Sequence, residues 1–179
     1  MSWRPRWARF FLWLSILSGG LCAGAKLFDL RVLAGAWSAS PPESLSLLPY
    51  GAKYPVDTGE FFQPIGALFL LAVVGMAISG WTTPWRYRVL LIIPAVLVTA
   101  GWVFTVLWFW PRNAALWAVA RGAPGAEQDP VVIAGMAREW VRYDWVRVAI
   151  LMVSFVCSVR AISVAFPAPA NPALPPAGG

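Results

Sequence analysis

The sequence contains no histidine and only two cysteines among its 179 residues. Without histidine, the chain lacks the usual ligand of haem and of zinc and the usual base of Ser-His-Asp and Cys-His pairs. Cys22 and Cys157 lie in separate apolar runs and form no CxxC motif, a spacing that argues against a dithiol redox centre or an iron–sulfur site. We therefore predict no metal site and no resident cofactor.

Charge is also scarce. Charged residues make up 12% of the chain and hydrophobic residues 59%, whereas a soluble domain has about 25% charged and about 45 to 50% apolar residues. The net charge of +6 would favour nucleic acid in a soluble protein, but no basic run lies on a polar, amphipathic element. The composition predicts a lipid bilayer as the surroundings of the chain and excludes nucleic acid as a partner.

Long apolar runs occur four times, each close to the roughly 20 residues that a membrane-spanning helix needs. The predicted fold is all-α, an integral membrane four-helix bundle. Lys26 and Arg160, near span ends, are expected to extend their charged groups to the headgroups. We expect one four-span domain over residues 1–166 and a Pro/Ala-rich tail over 167–179, with spans at about 10–27, 61–80, 89–110 and 146–166 and outer loops at about 28–60 and 111–144.

The basic residues are distributed unevenly across the predicted membrane. An even number of spans puts six arginines and no acidic residue on one side, and all eight acidic residues on the other. The positive-inside rule then places both termini in the cytoplasm, and we expect a multi-pass protein of the bacterial inner (cytoplasmic) membrane. Although Ala23-Gly24-Ala25 resembles a signal cleavage site, we expect the first span to be retained. The six arginines are Arg4, Arg6, Arg9, Arg86, Arg88 and Arg160.

The fourth helix is expected to begin well outside the membrane. Asp129 and Pro130 supply an N-cap and a first-turn proline, and no further proline occurs before Pro167. A helix that starts here and runs to Phe166 is about 54 Å long, which exceeds the thickness of the hydrocarbon core. The sequence therefore predicts that this helix extends beyond the outer membrane surface.

One face of that helix carries the most distinctive side chains of the sequence. Trp140, Asp144 and Arg147 follow each other at i, i+4 and i+7, and Tyr143 joins them. Arg147 lies where the apolar span begins and needs a partner, for which Asp144 is the nearest carboxylate. Two interpretations remain open: an interfacial ion pair that anchors the helix, or a polar pocket near the outer membrane surface. Whether Asp144 and Arg147 pair with each other or with Asp29, Arg31 or Glu60 of the first outer loop also remains open.

Two short motifs in this region resemble those of a known family. Pro111-Arg112-Asn113-Ala114-Ala115-Leu116 matches P-x-N-x-x-L, and residues 140–147 match W-x-x-x-[N/H]-x-x-R with Asp144 at the variable position. The pattern is similar to that of the anthrone-oxygenase-like family of four-span membrane proteins. The resemblance implies a four-helix membrane bundle and, in characterised members, oxidation of an aromatic anthrone by dioxygen. Because this chain has no histidine, histidine-based proton abstraction does not carry over.

These residues suggest a site for a hydrophobic aromatic or quinone ligand. Oxidation of an acidic phenol requires a base, a cation for the resulting anion, and aromatic walls. As a hypothesis, Asp144 is the base and Arg147 the cation, Trp140 and Tyr143 form the walls, and Asn113 donates a hydrogen bond. The same residues would also suit binding without chemistry.

The competing interpretation is a non-catalytic accessory or structural subunit of a larger membrane protein complex. The small-residue pairs Gly20/Gly24 and Gly75/Ser79 allow close helix packing, within the bundle or against another subunit. The tail over 167–179 has little capacity to form a core and would need a partner to order it. A subunit becomes unstable without its partner, whereas an enzyme does not.

Overall fold

A computed structural model describes residues 4–49 and 58–165, and the predicted tail at 167–179 lies outside them. The described residues form helices joined by turns and contain no strand, which confirms the all-α prediction. The α-helices are α1 (Arg4–Phe28), α2 (Ala34–Trp37), α3 (Gly59–Ser79), α4 (Trp85–Phe104), α5 (Trp110–Ala120) and α6 (Pro130–Ala165). Two π-helical turns (Asp29–Leu33 and Thr105–Phe109) and a 3₁₀ helix (Glu43–Leu47) complete them.

Within residues 4–49 and 58–165, four helical segments are long and apolar enough to cross a membrane, so the chain is a multi-pass integral membrane protein. These segments are Arg6–Trp37, Gly59–Ser79, Trp85–Ala120 and Pro130–Val164. The helices α1, α3, α4 and α6 pack around a ring in that order, with α6 closing against α1. We call the end with the long connections 38–58 and 121–129 the loop end, and the end with the connection 80–84 the short-turn end.

The first and third spans continue past their apolar runs, and each contains a π-helical turn. The Ala34 N–H bonds to the Asp29 carbonyl, and the Trp110 N–H bonds to the Thr105 carbonyl. In the third span the wider turn directly precedes Pro111, whose ring and missing N–H would strain an uninterrupted α-helix. The short helix α5 therefore starts at this turn and is continuous with the third span.

The ends of the outer helices follow the local sequence signals. Gly122 adopts φ 61° just after α5, and the Ala123 N–H bonds to the Ala118 carbonyl, as in a glycine-terminated helix. Asp129 Oδ1 accepts the Val131 N–H at 2.8 Å and caps α6. The α6 helix has 36 residues, which confirms the predicted long fourth helix.

The described part of the bundle has two apolar cores of different composition. The short-turn core is mostly aliphatic, and its buried members are Leu12, Cys22, Phe69, Val73, Met76, Leu91, Val98 and Ala161. The loop-end core is rich in large aromatic side chains and includes Trp37, Leu45, Phe109, Leu116 and Trp140. The second core surrounds the charged side chains described next.

Candidate functional site

Four charged side chains lie close together inside the loop end. Lys26 Nζ lies 2.5 Å from Asp29 Oδ2 and 3.1 Å from Asp144 Oδ2. Arg147 Nε donates to Asp144 Oδ1 at 2.6 Å, and Arg147 Nη2 contacts the same oxygen. The order Asp29–Lys26–Asp144–Arg147 defines what we call the ionic chain. Its two positive and two negative charges balance, as burial in an apolar bundle requires.

The structure answers two questions that the sequence left open. The Asp144–Arg147 pair is present, and Lys26 links it to Asp29 of the first span. Asp144 is completely buried, so the pair lies inside the protein and does not merely anchor a helix at the headgroups. Lys26 is buried too, and the prediction that it reaches the membrane surface was wrong. The reason is that the first helix continues for about three more turns to Trp37.

Aromatic rings enclose the cations of the ionic chain. The Arg147 guanidinium carbon lies 3.3 Å from the centre of the Phe109 ring. Lys26 Nζ lies 5.2 Å from the Trp140 ring centre and 5.3 Å from that of Phe62. Trp37 meets Trp140 edge to face, with ring centres 5.1 Å apart. Such rings attract the cations through their π-faces and also exclude water, which strengthens electrostatic interactions in the site.

The two sequence motifs meet through a single hydrogen bond. Trp140 Nε1 donates to Asn113 Oδ1 at 2.7 Å and so joins α6 to α5. The amide oxygen of Asn113 accepts this bond, and its NH₂ group remains as a donor that can contact a ligand. Leu116, the last residue of the first motif, is buried in the loop-end core. The motifs therefore shape one site from two helices.

A cavity of about 230 Å³ lies beside the ionic chain. Of the residues predicted from the sequence, Asn113, Trp140 and Arg147 line it. Asp144 lies behind this wall, and Tyr143 packs against Trp108 with ring centres 4.5 Å apart. Two lining residues that the sequence reasoning did not assign to the site, Lys26 and Asp29, come from the first span. Their i, i+3 spacing at the end of an apolar run is the signal that could have indicated them.

The rest of the cavity wall is mainly apolar and aromatic. Its volume exceeds the roughly 150 Å³ of an engineered apolar cavity that binds benzene, so a ligand of more than one ring is compatible with it. Within the described residues, no group of three histidine, cysteine, aspartate or glutamate side chains is arranged to hold a metal ion. The aromatic wall residues away from the ionic chain are Phe69, Trp102, Trp110 and Trp117.

The fold and the site define a multi-pass membrane protein with a buried ionic chain beside an aromatic cavity. A family model described as Anthrone oxygenase matches residues 54–157, more than half of the chain, and the protein belongs to this family. The match includes Asn113, Trp140 and Arg147, whereas Lys26 and Asp29 lie before it. Comparisons with curated proteins and with solved structures gave no significant match.

Proposed function

We propose that the cavity binds a neutral, planar aromatic phenol of the anthrone type and promotes its oxidation to a quinone by dioxygen. The observation that carries this proposal is the composition of the cavity wall. Apolar side chains form most of it, seven of them aromatic, and Asp29, Lys26, Arg147 and Asn113 supply a carboxylate, two cations and an amide donor. A mainly apolar pocket with a few convergent polar groups suits a small hydrophobic ligand with a polar edge.

Each polar side chain is assigned a role from its position. Arg147 and Lys26 stabilise the oxyanion of the ligand, because both line the cavity and carry positive charge. The geometry favours Asp29 as the base over Asp144, because Asp29 lines the cavity and Asp144 does not. Asp144 is then a positioning residue that holds both cations through its two oxygens.

The chemistry follows from these roles. Asp29 takes a proton from the ring CH₂ group of the anthrone, and the negative charge moves to the carbonyl oxygen beside Arg147. Dioxygen accepts the electrons of this carbanion and forms a C–O bond, and the proton on Asp29 passes to the outer oxygen to give a hydroperoxide. Loss of the second C–H proton, with cleavage of the O–O bond, yields the quinone carbonyl and one molecule of water.

The same proposal includes an orientation. By topology, Arg6, Arg9, Arg86, Arg88 and Arg160 lie at the short-turn end, whereas the described acidic residues lie at the loop end. The positive-inside rule puts the short-turn end in the cytoplasm, and we place the protein in the bacterial inner membrane with its cavity near the opposite surface.

The test uses the full chain in lipid nanodiscs with dihydroxyanthrone as substrate. Oxygen consumption and quinone formation are recorded together, above the rate in empty nanodiscs. Asp29→Asn and Arg147→Gln are each expected to lower kcat/KM by about 100-fold or more, since each removes a group that acts on the reacting charge. Glu139→Gln is the matched control, because the exposed Arg112–Glu139 pair lies at the same end but outside the cavity. Wild-type turnover no faster than in empty nanodiscs would contradict the proposal.

Native mass spectrometry of the protein extracted from its source membranes separates this function from that of an accessory subunit. We expect a single chain or a homo-oligomer that retains a small aromatic or quinone molecule. A stoichiometric complex with a different membrane protein would instead make the loop end an interface.

A further inference from the structure

The cavity wall has one exposed region. Of the described residues that line the cavity, Gln63 and Trp110 are exposed, and all the others are buried or half-buried. Gln63 lies in the second turn of α3, and Trp110 lies where the π-helical turn of the third span meets α5. Within the described residues, the mouth of the cavity therefore lies in the side of the bundle, between the second and third spans.

The described part of the first connection, residues 38–49, packs over the loop end of the cavity. Trp117 Nε1 donates to the Pro49 carbonyl at 2.8 Å and holds the first connection against α5. Leu45 and Leu48 of that connection are buried in the loop-end core, beside Trp37. This packing blocks a direct route from the aqueous side through residues 38–49.

The surface around the mouth is apolar on the side away from the loop end. Leu107 precedes Trp110 and is exposed. On α3, Glu60 and Ala67 are exposed one turn to either side of Gln63, the acidic residue toward the loop end and the apolar one toward the middle of the span. The 21 residues of α3 extend over about 31 Å, close to the thickness of the hydrocarbon core, and Gln63 lies about 6 Å from the loop end of this helix. Exposed tryptophan is typical of that depth. The mouth thus opens toward lipid, just below the headgroups.

From these observations we propose that the ligand enters the cavity sideways from the bilayer, between Gln63 and Trp110. The substrate class is then a membrane-dissolved aromatic amphiphile, with its polar edge near the headgroups and its rings among the acyl chains. Lateral entry brings the polar edge past Gln63 toward Asn113 and the ionic chain. The inference rests on the ligand-binding part of the proposed function and specifies where the ligand comes from.

The route is tested by kinetics, because equilibrium affinity does not depend on the path of entry. The full chain in nanodiscs is mixed with nanodiscs that hold dihydroxyanthraquinone, and binding is followed by quenching of tryptophan fluorescence. Gln63→Phe narrows the mouth and is expected to lower both the association and dissociation rates by about tenfold, with Kd changed less than about twofold. Trp110→Ala widens the mouth and is expected to raise both rates.

Thr58→Phe narrows the cavity at its loop end and tests that route instead, and it is expected to lower the two rates less than Gln63→Phe does. Thr99→Phe is the matched control, since Thr99 is exposed on the third span, outside the cavity wall, and receives the same new side chain. It is expected to leave both rates close to those of the wild type. A second probe, an anthraquinone anchored by a long acyl chain and reconstituted in the same nanodiscs as the protein, is expected to bind as well, because it reaches the mouth without leaving the membrane.

The outcomes are distinct. If Thr58→Phe slows binding and Gln63→Phe and Trp110→Ala do not change it, entry is from the loop end and the inference is overturned, while ligand binding stands. Failure of the anchored probe to bind, when the free probe does, overturns it in the same way. If the wild type binds neither probe, the proposed function fails, and lateral entry fails with it.

Discussion

The two ends of the bundle are held together by different physical means. In the short-turn core the buried side chains are mostly aliphatic, and the nearby serines bond to carbonyls of their own helix, as Ser15 does to Leu12 and Ser158 to Ser154. At the loop end, charged and polar contacts join different helices, as Lys26 joins Asp144. The short-turn end is held together mainly by the packing of apolar side chains, whereas the loop end also depends on electrostatic interactions.

The short-turn end thus serves mainly to stabilise the bundle, whereas the loop end also holds the groups suited to chemistry. Polar groups satisfied within one helix make no demand on the neighbouring helices, so the short-turn core resembles the usual packing of membrane helices. Charges buried between helices are costly unless every partner is present, and such residues inside membranes commonly mark functional sites. Substitutions at the short-turn end should therefore act through packing, and substitutions at the loop end through unpaired buried charge.

The largest effect is expected for Asp144→Asn. This change keeps the shape of the side chain but leaves Lys26 and Arg147 buried with Asp29 as the remaining carboxylate of the ionic chain. Removing one partner of a buried ion pair costs about 3 to 5 kcal/mol, so the free energy of unfolding should fall by that amount. Unfolding in mild detergent, followed by tryptophan fluorescence, measures it.

A second substitution tests whether the unbalanced charge causes this loss of stability. Lys26→Met combined with Asp144→Asn restores charge balance, and the pair should recover a large part of the lost stability. Equal stability of Asp144→Asn and the wild type would show that the ionic chain does not stabilise the fold.

The next effect is expected at the close helix contact between α1 and α3. A Cβ atom added at Gly75 would lie 2.6 Å from carbons of the Phe11 ring, so Gly75→Ala must displace that ring. Overpacking of this kind costs about 1 to 3 kcal/mol. Gly24→Ala is the control, because nothing lies within 4 Å of a Cβ atom there. Equal unfolding temperatures for the two variants would refute this account of the contact.

A smaller effect is expected for Trp140→Phe. The ring is largely kept, but the hydrogen bond to Asn113 is lost, and the amide oxygen is left without its donor. We expect a loss of about 1 kcal/mol in stability, and weaker binding of dihydroxyanthraquinone because the amide is no longer oriented. Trp145→Phe at an exposed position should change neither quantity. Unchanged binding by Trp140→Phe would show that Asn113 does not contribute to ligand binding.

The smallest effect is expected for Ser158→Ala. Its hydroxyl donates to the Ser154 carbonyl, four residues earlier in the same helix, and that carbonyl keeps its helical environment without it. Stability should change by less than about 0.5 kcal/mol, and turnover should not change. A large loss in either measurement would mean that polar contacts matter at both ends of the bundle.

The fold could be predicted from the sequence because its main determinants are local. Four apolar runs of membrane-spanning length gave the four helices, and Asp129 with Pro130 gave the start of α6. The continuation of the first helix to Trp37 was not predicted, because nothing in the apolar run signals it. That extension is the reason why Lys26 is buried.

The site was only partly accessible from the sequence. Asp144 and Arg147 are one turn apart, so their pairing follows from helix geometry. The contacts of Asn113 with Trp140 and of Lys26 with Asp144 join distant segments and depend on how the helices are arranged. The position of Asp144 behind the cavity wall also depends on tertiary packing, which no spacing rule specifies.

The two π-helical turns have a consequence for how the sequence encodes the site. Each turn holds one residue more than an α-helical turn, so the helix beyond it is rotated by about 100° relative to an uninterrupted helix. The direction in which Trp37 and Leu116 point is thus set by a residue count as well as by residue identity. Deleting a single residue within either turn would leave the orientation of the preceding helix unchanged. It would rotate the segment after the turn, α2 or α5, away from the cavity.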